Sequence, residues 1–267
     1  MNAYISVWKL RFLSGLQYRA AALAGLATQL FFGLIFIMVY VAFYQHSTAE
    51  PQMTLSQLAT YIWLQQIFLS FVMLWFRDNE IFQLITSGNI AYELCRPCGI
   101  YSFWYAKLLA QRLSSAILRC LPILLIAFLL PIPYNLSLPP SASSFIPFVL
   151  TLLIGLALNV AISMFIYISV FWTMSPVGST LVIAVTGEFL SGMIIPIPLM
   201  SAWLQHFTYV LPFRWTADFP FRVYSGQIPP AEALQGMIIQ LLWLAVLIIV
   251  GRWCIKRALR QVVVQGG

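Results

Sequence analysis

Charge is what this chain has least of: 8% of its 267 residues are Asp, Glu, Lys or Arg, against about 25% in an ordinary soluble domain. The gaps between charges are long. None falls between Arg19 and Glu50, Glu50 and Arg77, Arg119 and Glu188, or Glu232 and Arg252. Such gaps suit helices of about 20 apolar residues crossing a ~30 Å hydrocarbon core. The alternating ten-residue segments of a membrane barrel are missing.

Several chemistries are absent too. None of the three lysines, Lys9, Lys107 and Lys256, follows a glycine, so there is no glycine-rich phosphate loop ending in Gly-Lys. The two histidines, His46 and His206, lie far apart, which rules out paired zinc ligands at helical spacing, and no Gly-x-Ser-x-Gly elbow occurs. No nucleophile and base are visibly paired. The four cysteines, Cys95, Cys98, Cys120 and Cys254, fall near the side expected to be cytoplasmic, where structural disulfides are rare. Cys95 and Cys98 have CxxC spacing, yet zinc needs four ligands and no second pair lies nearby.

What is present is apolar: 61% of residues are hydrophobic, and the net charge is +7. Placement decides what that charge means. Lys9, Arg11 and Arg19 precede the first apolar run; Arg77, Arg96, Lys107, Arg112 and Arg119 surround the second polar loop; Arg252, Lys256, Arg257 and Arg260 end the chain. In a six-span arrangement these fall on one side, leaving Arg214 and Arg222 for the other. The positive-inside rule then places both termini in the cytoplasm. A nucleic-acid face would not be spread over alternate loops. The run Ala20 to Tyr44 is too long for the 7–15-residue core of a cleaved signal.

The expected architecture is an all-α integral membrane protein, one transmembrane domain over 1–267. Residues 1–18 put Tyr4, Trp8 and Phe12 on one helical face beside Lys9 and Arg11, which predicts an interfacial helix. Six spans follow: Ala20–Tyr44, Leu58–Phe76, Leu113–Leu130, Phe145–Trp172, one starting at the Met174–Gly178 turn, and Ala233–Gly251. Ala21 and Gly25, four apart in the first span, would let another helix approach. Arg119 is expected to snorkel or to find an acidic partner. Asn159 at mid-helix more often bonds a neighbouring helix than a substrate.

Two stretches stand out. In the 77–107 loop, Asp78 to Thr86 forms an amphipathic pattern with Ile81, Leu84 and Ile85 on one side, and Gly88 supplies a helix stop. The other runs from Gly187 to Gly226. It carries Glu188, the one carboxylate within a span, about 16 Å along a helix from Val177. It then breaks at Pro196 and Pro198, resumes with Trp203, Gln205 and His206, and breaks again at Pro212. Irregular backbone at membrane depth survives only where protein or a water-filled cavity satisfies it, so 192–226 reads as a segment re-entrant from the outer face, between the fifth and sixth helices. Glu188 is either a group handling substrate or protons, or an anchor accepting bonds from backbone N–H groups freed by a broken helix.

Together these features resemble the membrane subunit of a type-2 ABC exporter. The second loop, ITSGNIAYELCRPCGIYSFWYAKLLAQRL, is similar to that family's inner segment, with Gly88, Pro97 and Lys107 at its glycine, proline and basic positions. FLSGMIIPIPLMSAWLQHFTYVLPFRW resembles its re-entrant segment, with Gly192, Pro196, Trp203 and Pro212 in order. The resemblance implies a permease, not itself an enzyme, that moves a substrate out of the cytoplasm by alternating access at a dimer seam in a prokaryotic-type inner membrane. It implies two separately encoded cytoplasmic ATPase subunits carrying ATP and Mg, a second permease chain (a paralogue or a second copy), membrane lipid around it, and no nucleic acid. Coupling to the ATPases would fall to Arg77, Asp78, Glu80, Gly88, Glu93 and Arg96. The path or gate would involve Asn159, Glu188, Pro196, Trp203, His206 and Pro212. The rival readings are an integral membrane enzyme acting on a lipid through Glu188 or His206, and a non-transporting anchor or sensor subunit.

Overall fold

The computed structural model describes residues 3–17, 19–46 and 52–261, the side chains of 19–22 and 142 excepted. The expectations for residues 47–51 of the first outer loop and for the Ala21 side chain lie outside the described residues. Among the described residues all regular structure is helical. α1 (Ala3–Gln17) stacks Trp8 on Phe12 at 5.0 Å and keeps none of its residues fully buried, as an interfacial helix would. It lies along α7 (Ile100–Leu129), and the Tyr4 hydroxyl accepts the Gly99 N–H at 3.2 Å.

Among the described residues four helices are long and apolar enough to cross a membrane: α2 (Arg19–His46) over Leu23–His46, α7, α8 (Ala142–Thr173) from Ser143, and α12 (Pro230–Leu259). α8 is central. Leu158, Val160, Met164 and Val170 on it are fully buried, and α7, α9 (Pro176–Leu190), α11 (Asp218–Tyr224) and α12 all pack on it. The outward faces of α2 and α12 expose Phe31, Phe43, Leu242 and Ile249, the pattern of helices that face lipid.

The two remaining expected spans take other forms. α9 has 15 residues, about 22 Å at 1.5 Å per residue, which is short of a full crossing. The stretch Leu58–Phe76 is not one helix. α3 (Leu55–Ile67) stops at Phe68, α4 (Leu69–Val72) adds a single turn, and Met73 to Arg77 is unwound. Hydropathy misses this break because nothing local causes it. The side chains that satisfy the freed backbone arrive from other helices.

The second polar loop holds α5 (Asn79–Thr86) and α6 (Ile90–Leu94). Asp78 caps α5 by accepting the Glu80 N–H at 2.9 Å, so the helix begins one residue later than the expected Asp78 start. Ile81, Phe82 and Ile85 are its buried residues. Phe82 replaces the expected Leu84 because it stacks on Tyr167 of α8 at 4.7 Å. Gly88 ends the unit at φ +77°, a left-handed value that favours glycine.

Between α9 and α12 the chain turns at Gly192 (φ +83°). It then makes a 3₁₀ turn at Ile197–Leu199, α10 (Ala202–Val210), a second 3₁₀ turn at Phe213–Thr216, and α11. The breaks at Pro196 and Pro212 fall as the prolines predict.

Candidate functional site

Three constellations bear on function: a charged cluster that seats α5, a set of side chains around the unwound stretch 73–77, and a buried ion group between α9 and α12.

At the first, Lys107 near the start of α7 reaches Asp78 at 3.1 Å and Glu80 at 3.0 Å, and Arg11 of α1 also pairs with Glu80. Lys107 and Asp78 are almost wholly covered, while Glu80 remains about half exposed. Burial opposes the Glu80 charge, but the hydrogen bonds from Arg11 and Lys107 outweigh it and hold this carboxyl below its usual range. The Asp78 N–H donates to the Tyr167 hydroxyl at 2.7 Å. The N-terminal end of α5 is thus joined to α1, α7 and α8. Glu93 and Arg96 form a separate pair at 3.0 Å, and Arg96 lies over the Phe103 ring. Arg77 and Gly88 are exposed. Of the six residues expected to couple, Asp78 and Glu80 share one cluster, Glu93 and Arg96 another.

The second constellation surrounds the unwound end of α4. Arg112, fully buried on α7, donates through Nη1 to the carbonyls of Ser70 (3.0 Å) and Met73 (2.7 Å), and through Nη2 to the Phe76 carbonyl (3.1 Å) and the Ser163 hydroxyl (3.0 Å). Asn159 on α8 donates to the Phe71 carbonyl at 2.6 Å. Glu188 on α9 lies against the backbone N–H groups of Leu74 and Trp75 and the Trp75 side chain. Gly187 makes room for this approach: a Cβ there would strike the Leu74 side chain and crowd the Phe213 ring. A helix end leaves carbonyls and the following N–H groups without partners, and here three helices supply them. Glu188 thus lies beside a broken helix, which is the second expected span and not the segment after Pro196, and its Oε1 is buried without a hydrogen-bond partner among the described residues. Asn159 bonds a neighbouring helix.

The third constellation centres on Asp218, fully buried at the start of α11. Arg222 stands 3.7 Å away and Arg214 4.0 Å away, and the Tyr61 hydroxyl lies 3.3 Å from Oδ1. Arg214 also lies over Tyr209 at 4.0 Å. The whole segment is seated by backbone contacts: Gln65 donates to the Gly192 carbonyl at 2.8 Å, and Gln240 to the carbonyls of Trp215 (2.8 Å) and Thr151 (3.0 Å). A Cβ on Gly155 would come within 2.8 Å of the Thr216 carbonyl oxygen. Pro196 and Pro212 are buried in this seat. Trp203 is 72% exposed, and His206, also exposed, bonds through Nδ1 to the Ala202 carbonyl at 2.7 Å. These last two share an outward face and do not join Glu188.

Sequence reasoning did not single out Lys107, Arg112 or Asp218 as organising residues. Arg112 read as an ordinary positive-inside charge, Lys107 as that or as the basic position of the resembling inner segment with no partner assigned, and Asp218 lay in an aromatic stretch judged by its arginines. The retrievable signal was arithmetic: two arginines at i−4 and i+4 from one aspartate share a helical face.

No curated protein and no solved structure matches the chain. The family model described as ABC-2 family transporter protein matches residues 30–266, nearly the full length and every residue of the three constellations except Arg11. With several helices fit to cross a bilayer, the chain belongs to the ABC-2 family of transporter membrane proteins.

Proposed function

We propose that this chain is the permease subunit of an ATP-driven exporter, working with two cytoplasmic ATPase subunits that carry ATP and Mg. The observation that carries the reading is the seat of α5. Its apolar side is fixed on α8 and its carboxylates on Lys107 and Arg11, while Asn79, Gln83, Thr86 and the Gly88–Asn89 turn are exposed. A short helix held this firmly on one side and polar on the other suits a soluble partner that pushes on it. Its first residue follows directly on the unwound stretch gripped by α7, α8 and α9, so displacement of α5 passes to the helices that carry Arg112, Asn159 and Glu188.

In this reading six segments span the membrane with both termini cytoplasmic, and 192–226 enters from the outer face and returns. A second permease, a paralogue or another copy, completes a seam that opens outward when ATP draws the ATPases together. Nucleotide shifts that equilibrium only as far as it favours one state over the other. Trp203 and His206 then face the outer mouth, whereas Glu188 is a fixed point of the frame. The rival reading, a lipid-modifying site on Glu188 or His206, predicts activity of the purified chain alone without nucleotide.

Purification in mild detergent followed by nucleotide-dependent transport in inside-out vesicles tests the proposal. Co-purifying ATPase and transport that requires ATP are expected. Pull-downs without any ATPase, together with unchanged transport in a strain lacking the neighbouring ATPase genes, overturn it. Loss of signalling without loss of efflux would instead identify an anchor or sensor.

A further inference from the structure

The last two turns of α12 and the capping residue after them carry Arg252, Lys256, Arg257 and Arg260, all exposed. Among the described residues none of the four has an acidic partner: Arg252 reaches the Ser102 hydroxyl at 3.4 Å and the face of Tyr101, and Arg257 lies over the Trp253 ring at 5.6 Å. Elsewhere the inner-side cations Lys107 and Arg96 are paired with carboxylates. Among the described residues Lys9 and Arg77 are also exposed without a carboxylate, but singly, whereas here four such cations fall within nine residues.

Two crevices open beside it and share Lys256. One, about 420 Å³, is bounded by Trp253, Lys256, Arg257, Arg260 and Gln261. The other, about 330 Å³, lies between α12 and the start of α7, where Arg252 and Lys256 rim a floor of Leu94, Ile100, Tyr101, Ile255 and Leu259. Gly251 makes this approach of the helices possible, since a Cβ there would fall within 2.7 Å of the Tyr101 ring. Above both crevices, the outward face of α12 is an exposed apolar strip through Leu242, Val246, Ile249 and Val250 that ends at Trp253, which is 59% exposed.

A ligand matching this surface must be anionic at one end and carry long apolar tails that lie along α12. A soluble phosphate satisfies only the first demand and a polar protein surface does not satisfy the second. We propose that the end of α12 is a binding site for an anionic glycerophospholipid of the cytoplasmic leaflet. Its phosphate sits among Lys256, Arg257 and Arg260, one acyl chain follows the strip above Trp253, and the glycerol region enters the crevice over Tyr101. Basic pockets at the cytoplasmic ends of membrane helices recognise lipid headgroups in this way, and the indole of Trp253 suits the headgroup level.

The test is native mass spectrometry of the detergent-purified full chain titrated with phosphatidylglycerol or phosphatidylcholine of identical acyl composition, and with inorganic phosphate. The wild type should retain phosphatidylglycerol in clear preference to phosphatidylcholine, and millimolar phosphate should not displace it. The triple substitution Lys256→Ala, Arg257→Ala, Arg260→Ala should weaken phosphatidylglycerol binding on the order of 100-fold, from about fivefold per cation removed. The charge-preserving set Lys256→Arg, Arg257→Lys, Arg260→Lys should retain it, which separates loss of the site from loss of the fold. Equal retention of the two lipids, displacement by phosphate, or undiminished binding by the alanine variant overturns the proposal. So does a variant that keeps its lipid but loses a co-purifying ATPase, because the site then belongs to a protein.

Discussion

Arg112 and Glu188, from α7 and α9, meet at the same break in the chain: the guanidinium takes the carbonyls of Ser70 in α4 and of Met73 and Phe76 in the unwound stretch, and the carboxylate faces the N–H groups of Leu74 and Trp75. Each end of the peptide dipole is thus met by the appropriate charge. The break in the second expected span is a built joint between the transmembrane helices and α5.

Replacing Arg112 with Met keeps the side-chain bulk and takes the donor from three carbonyls, one buried at Ser70 and two part-buried at Met73 and Phe76. At roughly 1–3 kcal/mol for each unsatisfied group, the protein should lose about 3 kcal/mol or more of stability. Fluorescence-detected size exclusion after heating should show a markedly lower melting point. Arg112→Lys should fall between, since one ammonium cannot reproduce the planar fork. A melting point equal to wild type in Arg112→Met would remove the anchoring role.

Glu188→Gln retains one carbonyl oxygen to accept from the Leu74 or Trp75 N–H, whereas Glu188→Ala retains none. An anchoring role predicts a graded loss, about 1 kcal/mol for Gln and 2–3 kcal/mol for Ala, with transport following the amount of folded protein. Thermal stability and vesicle transport measured side by side decide the matter. A fully folded Glu188→Gln protein that transports nothing would make the carboxylate a participant in handling substrate or protons.

Glu80→Lys places a third cation between Arg11 and Lys107 and should loosen the N-terminal end of α5 from its seat. ATP hydrolysis by the assembled complex should persist while transport falls at least severalfold. Adding Lys107→Glu should restore only part of the transport, because Asp78 then faces a like charge. Double-mutant coupling between positions 80 and 107 is the direct measurement. Additive effects would contradict the shared cluster.

Acid should act on the same contact. The Glu80 carboxyl is held below its ordinary value of 4.5, so the unfolded chain binds its proton more readily than the folded one. Its contribution is complete above about pH 4.5 and is lost as the pH falls through the lowered folded value. Half exposure keeps the effect modest. The melting-point difference between wild type and Glu80→Gln should be largest near neutrality and shrink below pH 4.5; a difference that grows on acidification would refute the assignment.

Much of this was legible in the sequence for definite reasons. Long charge-free runs located α2, α8 and α12 but only the second half of α7, which begins at Ile100 and not at the expected Leu113 because its first turns pack on α1; prolines located the breaks at Pro196 and Pro212, and a 3.6-residue period located α5 almost to the residue. What stayed hidden depended on partners distant in sequence. Nothing near Phe68 or Met73 announces an unwound helix, because Cys120, Arg112, Asn159 and Glu188 that satisfy it come from three later helices. Arg112 looked like any inner-side cation until its four acceptors were in view. The choice of Phe82 over Leu84 for the buried face of α5 likewise rests on a ring 85 positions away, Tyr167.

Every residue from Leu58 to Ile67 in α3 is buried, Thr60, Gln65 and Gln66 among them. Such a helix is fitted to protein on all sides, and its Thr60, Gln65 and Gln66 side chains are poorly housed in hydrocarbon. When its synthesis is finished, α7 and α11, which cover it, do not yet exist. It must therefore wait for partners made later, and a chain truncated before Ile100 would leave its amides bare to lipid. Assembly of this protein is consequently a matter of order as well as of affinity: the innermost helix is made early and can be housed only late.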